Sequence, residues 1–308
     1  MRIIRGLHNL ADQFDGCVAT IGNFDGVHSG HRMVVDKLAR KGDSLGLPIV
    51  VIIFEPQPME FFSPDKAPAR LTRFREKIRY LSGLSVDAVL VLEFNQRFAA
   101  LQADDFIKKV LVEGLKIKHL IVGDDFRFGE QRQGNFSLLK KYGRASGFGV
   151  GSMDSFLINN ERVSSTLIRN ALSEGELRKA SDYLGRDYSI CGRVVQGKKI
   201  GRSIDFPTAN IKVNRKKSPV QGVFAVRMTG LGERVIDGVA NVGIKPTLEG
   251  ERTILLEVHL FDFDEDIYGC HVEVHFVKKI RDEQKFDSLE ALKEQIKKDS
   301  EVARLVTA

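Results

Sequence analysis

Short apolar runs alternate with amphipathic stretches through the first half of the chain. Val18-Ala19-Thr20-Ile21 reads as a strand and leads into a glycine-rich turn. Apolar spacing then predicts a helix from Gly30 to about Leu45. Pro48 to Phe54 is a continuous apolar, β-branched run, the pattern of a strand buried on both faces. A helical pattern returns over Arg73 to Leu81, and Val86 to Leu92 reads as another buried strand. Asp104 to Glu113 has helical spacing with acidic residues in its first turn, and His119 to Val122 is a fourth strand. This alternation predicts an α/β unit built on a doubly wound parallel sheet. Such sheets bind ligands beyond the carboxyl ends of their strands.

After about residue 186 the period shortens. Six alternating runs come next, Ser189–Val195, Thr208–Val213, Val223–Thr229, Val235–Val242, Ile254–Leu260 and His271–Val277. Turn residues such as Gly230-Leu231-Gly232 and Glu249-Gly250 separate them. Short strands at this spacing predict an antiparallel β-barrel. Ser288 then caps a closing helix that runs to about Asp299, with Glu290 in its first turn. Two domains are expected, 1–185 and 186–308, meeting near Leu184-Gly185-Arg186.

Composition narrows the classes. The chain has 308 residues, 43% hydrophobic and 29% charged, enough for two modest cores under a polar surface. No apolar run approaches the roughly 20 residues of a membrane span, and Met1 to Gly6 lacks a signal-peptide core. A cytoplasmic location with no membrane partner is expected. Cys17, Cys191 and Cys270 are scattered, which argues against a disulfide framework and for packing roles. The net charge of +6 attracts polyanions, either nucleic acid or a nucleotide triphosphate. The basic residues are dispersed, and Asn214-Arg215-Lys216-Lys217 reads as a solvated loop.

The most informative segment is Gly22-Asn23-Phe24-Asp25-Gly26-Val27-His28-Ser29-Gly30-His31, between the first strand and the first helix. Histidines three apart share one side of a helical turn. Gly30 allows a phosphate close to the backbone, and the helix N-terminus adds oriented N–H groups. Two imidazoles and a helix end suit charge developing at an α-phosphate during in-line displacement. H-x-x-H alone would equally suit a metal or a structural pair. The preceding strand, the turn and Gly30 favour phosphate.

H-x-G-H after a first strand resembles the nucleotidyltransferase superfamily. The longer string Gly22 to His28 resembles the bacterial bifunctional riboflavin kinase/FAD synthetase family. Three more segments fit that family: Phe54-Glu55-Pro56-Gln57-Pro58-Met59-Glu60-Phe61-Phe62, Gly123-Asp124-Asp125-Phe126-Arg127-Phe128-Gly129 and Ser164-Ser165-Thr166-Leu167-Ile168-Arg169. Phe54, Phe62 and Phe128, with Pro56 and Pro58, offer flat apolar surface for an isoalloxazine ring. For any one of them a place in the core is an equal reading. Asp125, just past a strand end, suits ribose hydroxyls, and equally a cap or a turn. Ser164, Ser165 and Arg169 suit a leaving pyrophosphate. Taken alone, that segment reads first as an N-cap with a surface arginine. Gly22, Asn23, Phe24, Asp25 and Gly30 complete the expected nucleotide site.

No G-x-x-x-x-G-K-[ST] and no protein-kinase signature set occurs. The second half instead carries Gly197-Lys198-Lys199-Ile200-Gly201-Arg202 and Phe206-Pro207-Thr208-Ala209-Asn210. A glycine-rich loop with Gly197, Gly201 and Arg202 can wrap phosphates, and Thr208 and Asn210 offer oxygens to Mg²⁺. By residue type alone P-T-A-N is also an ordinary strand opening. In a barrel after such a loop it resembles riboflavin kinase, which implies Mg-ATP roles for Thr208 and Asn210. The resemblance also implies a catalytic base at Glu257 and a flavin contact from Arg281, in the segment Ile280 to Phe286. Asp205 stands where the family usually has glycine, which points to an altered ATP loop.

The resemblance covers nearly the whole chain. It implies phosphorylation of riboflavin to FMN and adenylylation of FMN to FAD, both with ATP and Mg²⁺, on small-molecule substrates. No nucleic acid and no obligate protein partner is expected. Three alternatives stay open: a nucleotidyltransferase for nicotinate mononucleotide or phosphopantetheine, a one-activity relative, and a nucleic-acid-binding barrel using an aromatic platform.

Overall fold

The structure, a computed structural model, describes residues 1–10, 13–153, 156–197, 206–246 and 252–307. The chain forms two compact units, Met1–Pro68 with Thr72–Val163, and Ala69–Leu71 with Ser164–Ala308.

The first unit is built on six parallel strands, β1 Arg2–Arg5, β2 Cys17–Ile21, β3 Ile49–Glu55, β4 Ala88–Glu93, β5 Ile117–Gly123 and β6 Gly149–Met153, in the order β1-β4-β3-β2-β5-β6. β2 is buried along its whole length, and β3 and β4 along all but their last residue. Alternate side chains of a strand leave opposite faces. Val50, Ile52 and Phe54 of β3 enter one core with Leu90 and Leu92 of β4, while Val51 and Ile53 enter another with Val89 and Val91. Covering two apolar faces requires helices on both sides. These include α1 (Ser29–Leu45), α2 (Pro58–Phe62), α3 (Phe74–Ser82), α4 (Gln96–Ala99) and α5 (Ala103–Asp105).

The chain leaves β2 for β3 and β4 on one side and returns to β5 on the other. The order in which strands are added therefore reverses next to β2, which is where such sheets open a crevice. The sequence pattern predicts β2 to β5 but not the two edge strands. β1 buries only one residue, and β6 carries two glycines and no fully buried residue, so neither has a buried-strand signature. The helix expected over Asp104–Glu113 also differs in winding, since Phe106–Gly114 is π-helical. Helix α6 (Phe136–Ser146) follows β5, and a small hairpin of β7 (Leu157–Ile158) and β8 (Glu161–Arg162) closes the unit.

The second unit opens with α7 (Ser165–Glu174) and α8 (Leu177–Leu184), which pack on each other. Strands β9 Ser189–Val195, β10 Ala209–Lys212, β11 Gly222–Leu231, β12 Arg234–Pro246, β13 Arg252–Leu260 and β14 His271–Arg281 close into an antiparallel barrel in the order β10-β13-β12-β11-β14-β9. These are the six strands read from the sequence. The turn expected at Glu249-Gly250 lies outside the described residues. Ile254, Leu256, Val258 and Leu260 are buried, while Glu257 and His259 between them are half-exposed, so β13 shows one face to the interior and one outward.

The closing helix, α9, runs Leu289–Thr307, beyond the expected end at Asp299. Ala303 and Val306 extend its contact with Val223, Ala225, Val239 and Phe261 on the barrel's outer wall, which explains the extra turns. Ser288 caps it as the sequence indicates, its Oγ accepting from the Ala291 N–H at 3.1 Å.

Ile52 is fully buried in the centre of the parallel sheet. Ile52→Ala should lower the unfolding free energy of the first unit by about 2–5 kcal/mol. Urea denaturation should show this as an earlier midpoint at unchanged slope.

Candidate active sites

The loop after β2 is held in a strained shape. Phe24, Gly26 and Val27 have φ of 48°, 87° and 42°, left-handed values that cost a non-glycine residue free energy. Buried hydrogen bonds hold this shape. Asp25 is 2% exposed, and its carboxylate accepts from the Thr72 N–H at 3.0 Å and hydroxyl at 3.3 Å. The Thr72 hydroxyl in turn accepts from the Gly26 N–H at 2.9 Å. Asp25 therefore points into the protein and shapes the loop.

The loop delivers His28 as the N-cap of α1, with Nδ1 accepting from the His31 N–H at 3.3 Å. The two rings stack with centroids 3.6 Å apart, and Phe24 extends the stack over His31 at 4.6 Å. A Cβ on Gly30 would lie 3.2 Å from the His28 ring, so the missing side chain makes room for that ring at the helix end.

A cavity of about 560 Å³ opens at the carboxyl ends of the strands. Gly22 and Asn23, the first residues of the same loop, form part of its wall, and Asp125 forms another. The rest is largely phenylalanine: Phe54, Phe62, Phe94, Phe98, Phe106, Phe126 and Phe128, with Pro58. The rings contact one another edge-on or tilted, Phe54–Phe98 at 5.6 Å and Phe62–Phe94 at 5.5 Å, while Phe126 and Phe128 stack at 5.5 Å. Phe54, Pro58, Phe62, Phe128 and Asp125 thus come together as the sequence suggests. Pro56 stands outside the wall. Phe94, Phe98, Phe106 and Phe126 are not among the residues that the sequence pattern singles out. Phe94 and Phe98 immediately follow β4, and extending the strand-end rule to that strand finds them.

Asp124 and Asp125 flank Arg162, their Oδ1 atoms 3.8 and 3.7 Å from its Nη2. Ser164 and Arg169 fall in the second unit. Ser164 Oγ accepts from the Leu167 N–H at 3.2 Å as the N-cap of α7, and Ser165 is the first residue of that helix. Arg169 Nε donates to the Ala69 carbonyl at 2.6 Å.

In the barrel, β10 pairs Asn210 with Glu257, and β12 pairs Asn241 with the same Glu257. Paired residues on neighbouring antiparallel strands put their side chains on one face. Asn210, Glu257 and Asn241 therefore form a row on the outer wall. A Cβ at Gly197 would collide with the Asn210 side chain, so the chain leaving β9 runs directly against that residue. Gly201, Arg202 and Asp205 lie outside the described residues. Thr208 faces a second cavity of about 500 Å³, with Pro207, Ala209 and the segment Phe263–Tyr268 around it. The His259 ring fixes its rim, with Nδ1 2.9 Å from the Pro207 carbonyl. Arg281 is engaged with Asp299 of α9.

A family model described as FAD synthetase matches residues 10–167, and one described as riboflavin kinase matches residues 184–307. The bifunctional riboflavin kinase/FMN adenylyltransferase of Escherichia coli strain K12 is 52% identical over 305 residues, 99% of this chain and 97% of that protein. The chain belongs to this family. A bifunctional riboflavin kinase/FMN adenylyltransferase is an enzyme with two activities on one chain, here with one family match ending early in α7 and the other starting at the end of α8. The Haemophilus influenzae enzyme of the same name is 50% identical over 304 residues, 99% of this chain and 98% of its own. A crystal structure from Streptococcus pneumoniae, described as a macrolide-efflux protein, has 31% identity and a TM-score of 0.84 over 99% of both chains. What it shares with this riboflavin kinase/FMN adenylyltransferase is the fold. No helix among the described residues is long and apolar enough to cross a membrane.

Thr72→Val removes the hydroxyl that joins Gly26 to Asp25. Leaving these buried groups short of a partner should cost about 1–3 kcal/mol of stability. A flavin chromatography assay should also show slower FAD formation from FMN at an unchanged rate of FMN formation from riboflavin.

Proposed function

We propose that the stacked His28–His31 pair and the phenylalanine-lined cavity act together in adenylyl transfer to FMN. The observation that carries this reading is that one loop builds both: it starts at Gly22 and Asn23 in the cavity wall and ends at His28 on the helix. The isoalloxazine ring lies among Phe54, Phe62 and Phe128, where aromatic surface is exposed to the cavity. The FMN phosphate then attacks the α-phosphate of ATP near the N-terminus of α1. His28, His31 and the helix N–H groups stabilise the charge that develops there, and pyrophosphate leaves. Gly22, Asn23, Phe24 and Gly30 shape this nucleotide site, with Asp25 acting through the loop. Asp125 takes the ribose hydroxyls, and Ser164, Ser165 and Arg169 serve the leaving pyrophosphate.

For the kinase reaction, Glu257 accepts the proton of the ribityl 5′-hydroxyl as it attacks the γ-phosphate of ATP, and ADP leaves. Its place between Asn210 and Asn241 supports this role, because amide groups on both sides can orient a carboxylate and a hydroxyl. Thr208 and Asn210 supply a hydroxyl and an amide oxygen, the hard donors that Mg²⁺ takes sparingly from protein, so these residues fit the metal. Mg²⁺ bound with ATP neutralises polyphosphate charge. Gly197, Gly201 and Arg202 line the phosphates, and Arg281 belongs to the flavin side. The adenylyltransferase comprises residues 1–185 and the kinase residues 186–308. The enzyme works on small molecules in the cytoplasm, without nucleic acid or an obligate protein partner.

The test is a time course with riboflavin, ATP and Mg²⁺, with flavins separated by chromatography. FMN should appear first and FAD after it. His31→Ala should reduce FAD formation about 100- to 1,000-fold while FMN still accumulates. Glu257→Gln should reduce riboflavin phosphorylation about 100- to 10,000-fold while added FMN is still converted to FAD. Retained phosphorylation in that variant would remove Glu257 as the base.

A further inference from the structure

Arg281 ends β14, and the chain then crosses the barrel as a strap, residues 282–288, before α9 begins. Asp299, on the inner side of α9 and 3% exposed, reaches back to the start of that strap. Its carboxylate accepts from Arg281 Nε at 3.0 Å and Nη2 at 2.7 Å, and from Gln295 Nε2 at 2.9 Å. The same guanidinium donates through Nη1 to the Asp282 carbonyl at 2.9 Å. One residue further on, the Glu283 carboxylate accepts from Gln221 Nε2 at 3.0 Å. It also fills the space that a side chain at Gly243 would need.

Gly243 is two residues from Asn241 on the same strand, so both present the same face. Asn241 is the cross-strand partner of Glu257. The strap therefore lays the Glu283 carboxylate on the outer wall one pleat from the row that holds Glu257. Two carboxylates on one face repel each other, so holding them near one another needs a restraint. Here a part-buried, multiply bonded ion pair supplies it, fixing the strap on which one of them rides.

We propose that Asp299 is a positioning residue for the kinase reaction. Through Arg281 it holds the strap so that Glu283 meets the hydroxyl-rich acceptor beside Glu257. This inference rests on the assignment of the Glu257 row as the kinase site. Asp299 touches no substrate, and its effect is on where the acceptor sits.

The experiment is steady-state kinetics on the full chain, varying riboflavin and ATP separately. Asp299→Asn should raise KM for riboflavin about 10-fold and leave KM for ATP and the conversion of FMN to FAD unchanged. Asp299→Glu, which keeps the charge, should recover part of the loss. The double variant Asp299→Asn/Glu283→Gln should be no worse than Glu283→Gln alone, because the two act in series. If Asp299→Asn does not fold, Gly243→Ala tests the same point by displacing the Glu283 carboxylate with the ion pair intact, and should give the same split. An unchanged KM for riboflavin in Asp299→Asn or Gly243→Ala overturns the inference, as does an equal rise in both KM values. If Glu257→Gln abolishes phosphorylation at the same time, only the role of Asp299 fails. If Glu257→Gln still phosphorylates riboflavin, the site assignment fails and this inference with it.

Discussion

A parallel sheet covered on both faces has little room for polar chemistry except at the ends of its strands. That constraint organises the whole first unit. β3 and β4 are apolar up to their last residues, Glu55 and Glu93, because both of their faces are core. Chemistry is displaced into the segments just beyond them. The chain after β2 gives Gly22 to His28, the chain after β3 gives Pro58 and Phe62, that after β4 gives Phe94 and Phe98, and that after β5 gives Asp125 to Phe128. The strand order sets β3 and β5 on either side of β2, so segments distant in sequence share one cavity wall. The Asp25–Thr72 hydrogen bonds then fix the loop that joins this wall to the helix.

The barrel solves a different problem. Closure leaves no free edge, and its interior is occupied by side chains such as Phe224, Val226, Leu256 and Phe276. A ligand has to use a rim or the outer wall. α9 covers part of that wall with Ala303 and Val306, while the Asn210–Glu257–Asn241 row belongs to another part of it. A charged residue at position 257, between buried Leu256 and Val258, is compatible with the fold because strand alternation turns it outward.

Much of this is legible in the sequence because the strongest signals are periodic. Buried strands such as Ile49–Glu55 and all six barrel strands announce themselves by apolar content or alternation. β1 and β6 do not, since an edge strand with one contacting neighbour needs fewer apolar residues. The residues around His28 stand out because a strand, a glycine-rich turn and a helix start coincide there. Phe94, Phe98 and Phe106 carry no such mark, since phenylalanine in a cavity wall and phenylalanine in a core look the same in one dimension. The inward turn of Asp25 is equally hidden. It depends on Thr72, which lies 47 positions away.

The cap on α1 also fixes the proton inventory of the first site. Because His28 Nδ1 accepts a backbone hydrogen, that nitrogen carries none, and the ring's single proton resides on Nε2. The imidazole is thus a neutral donor of fixed tautomer. To become an imidazolium it must surrender the helix cap.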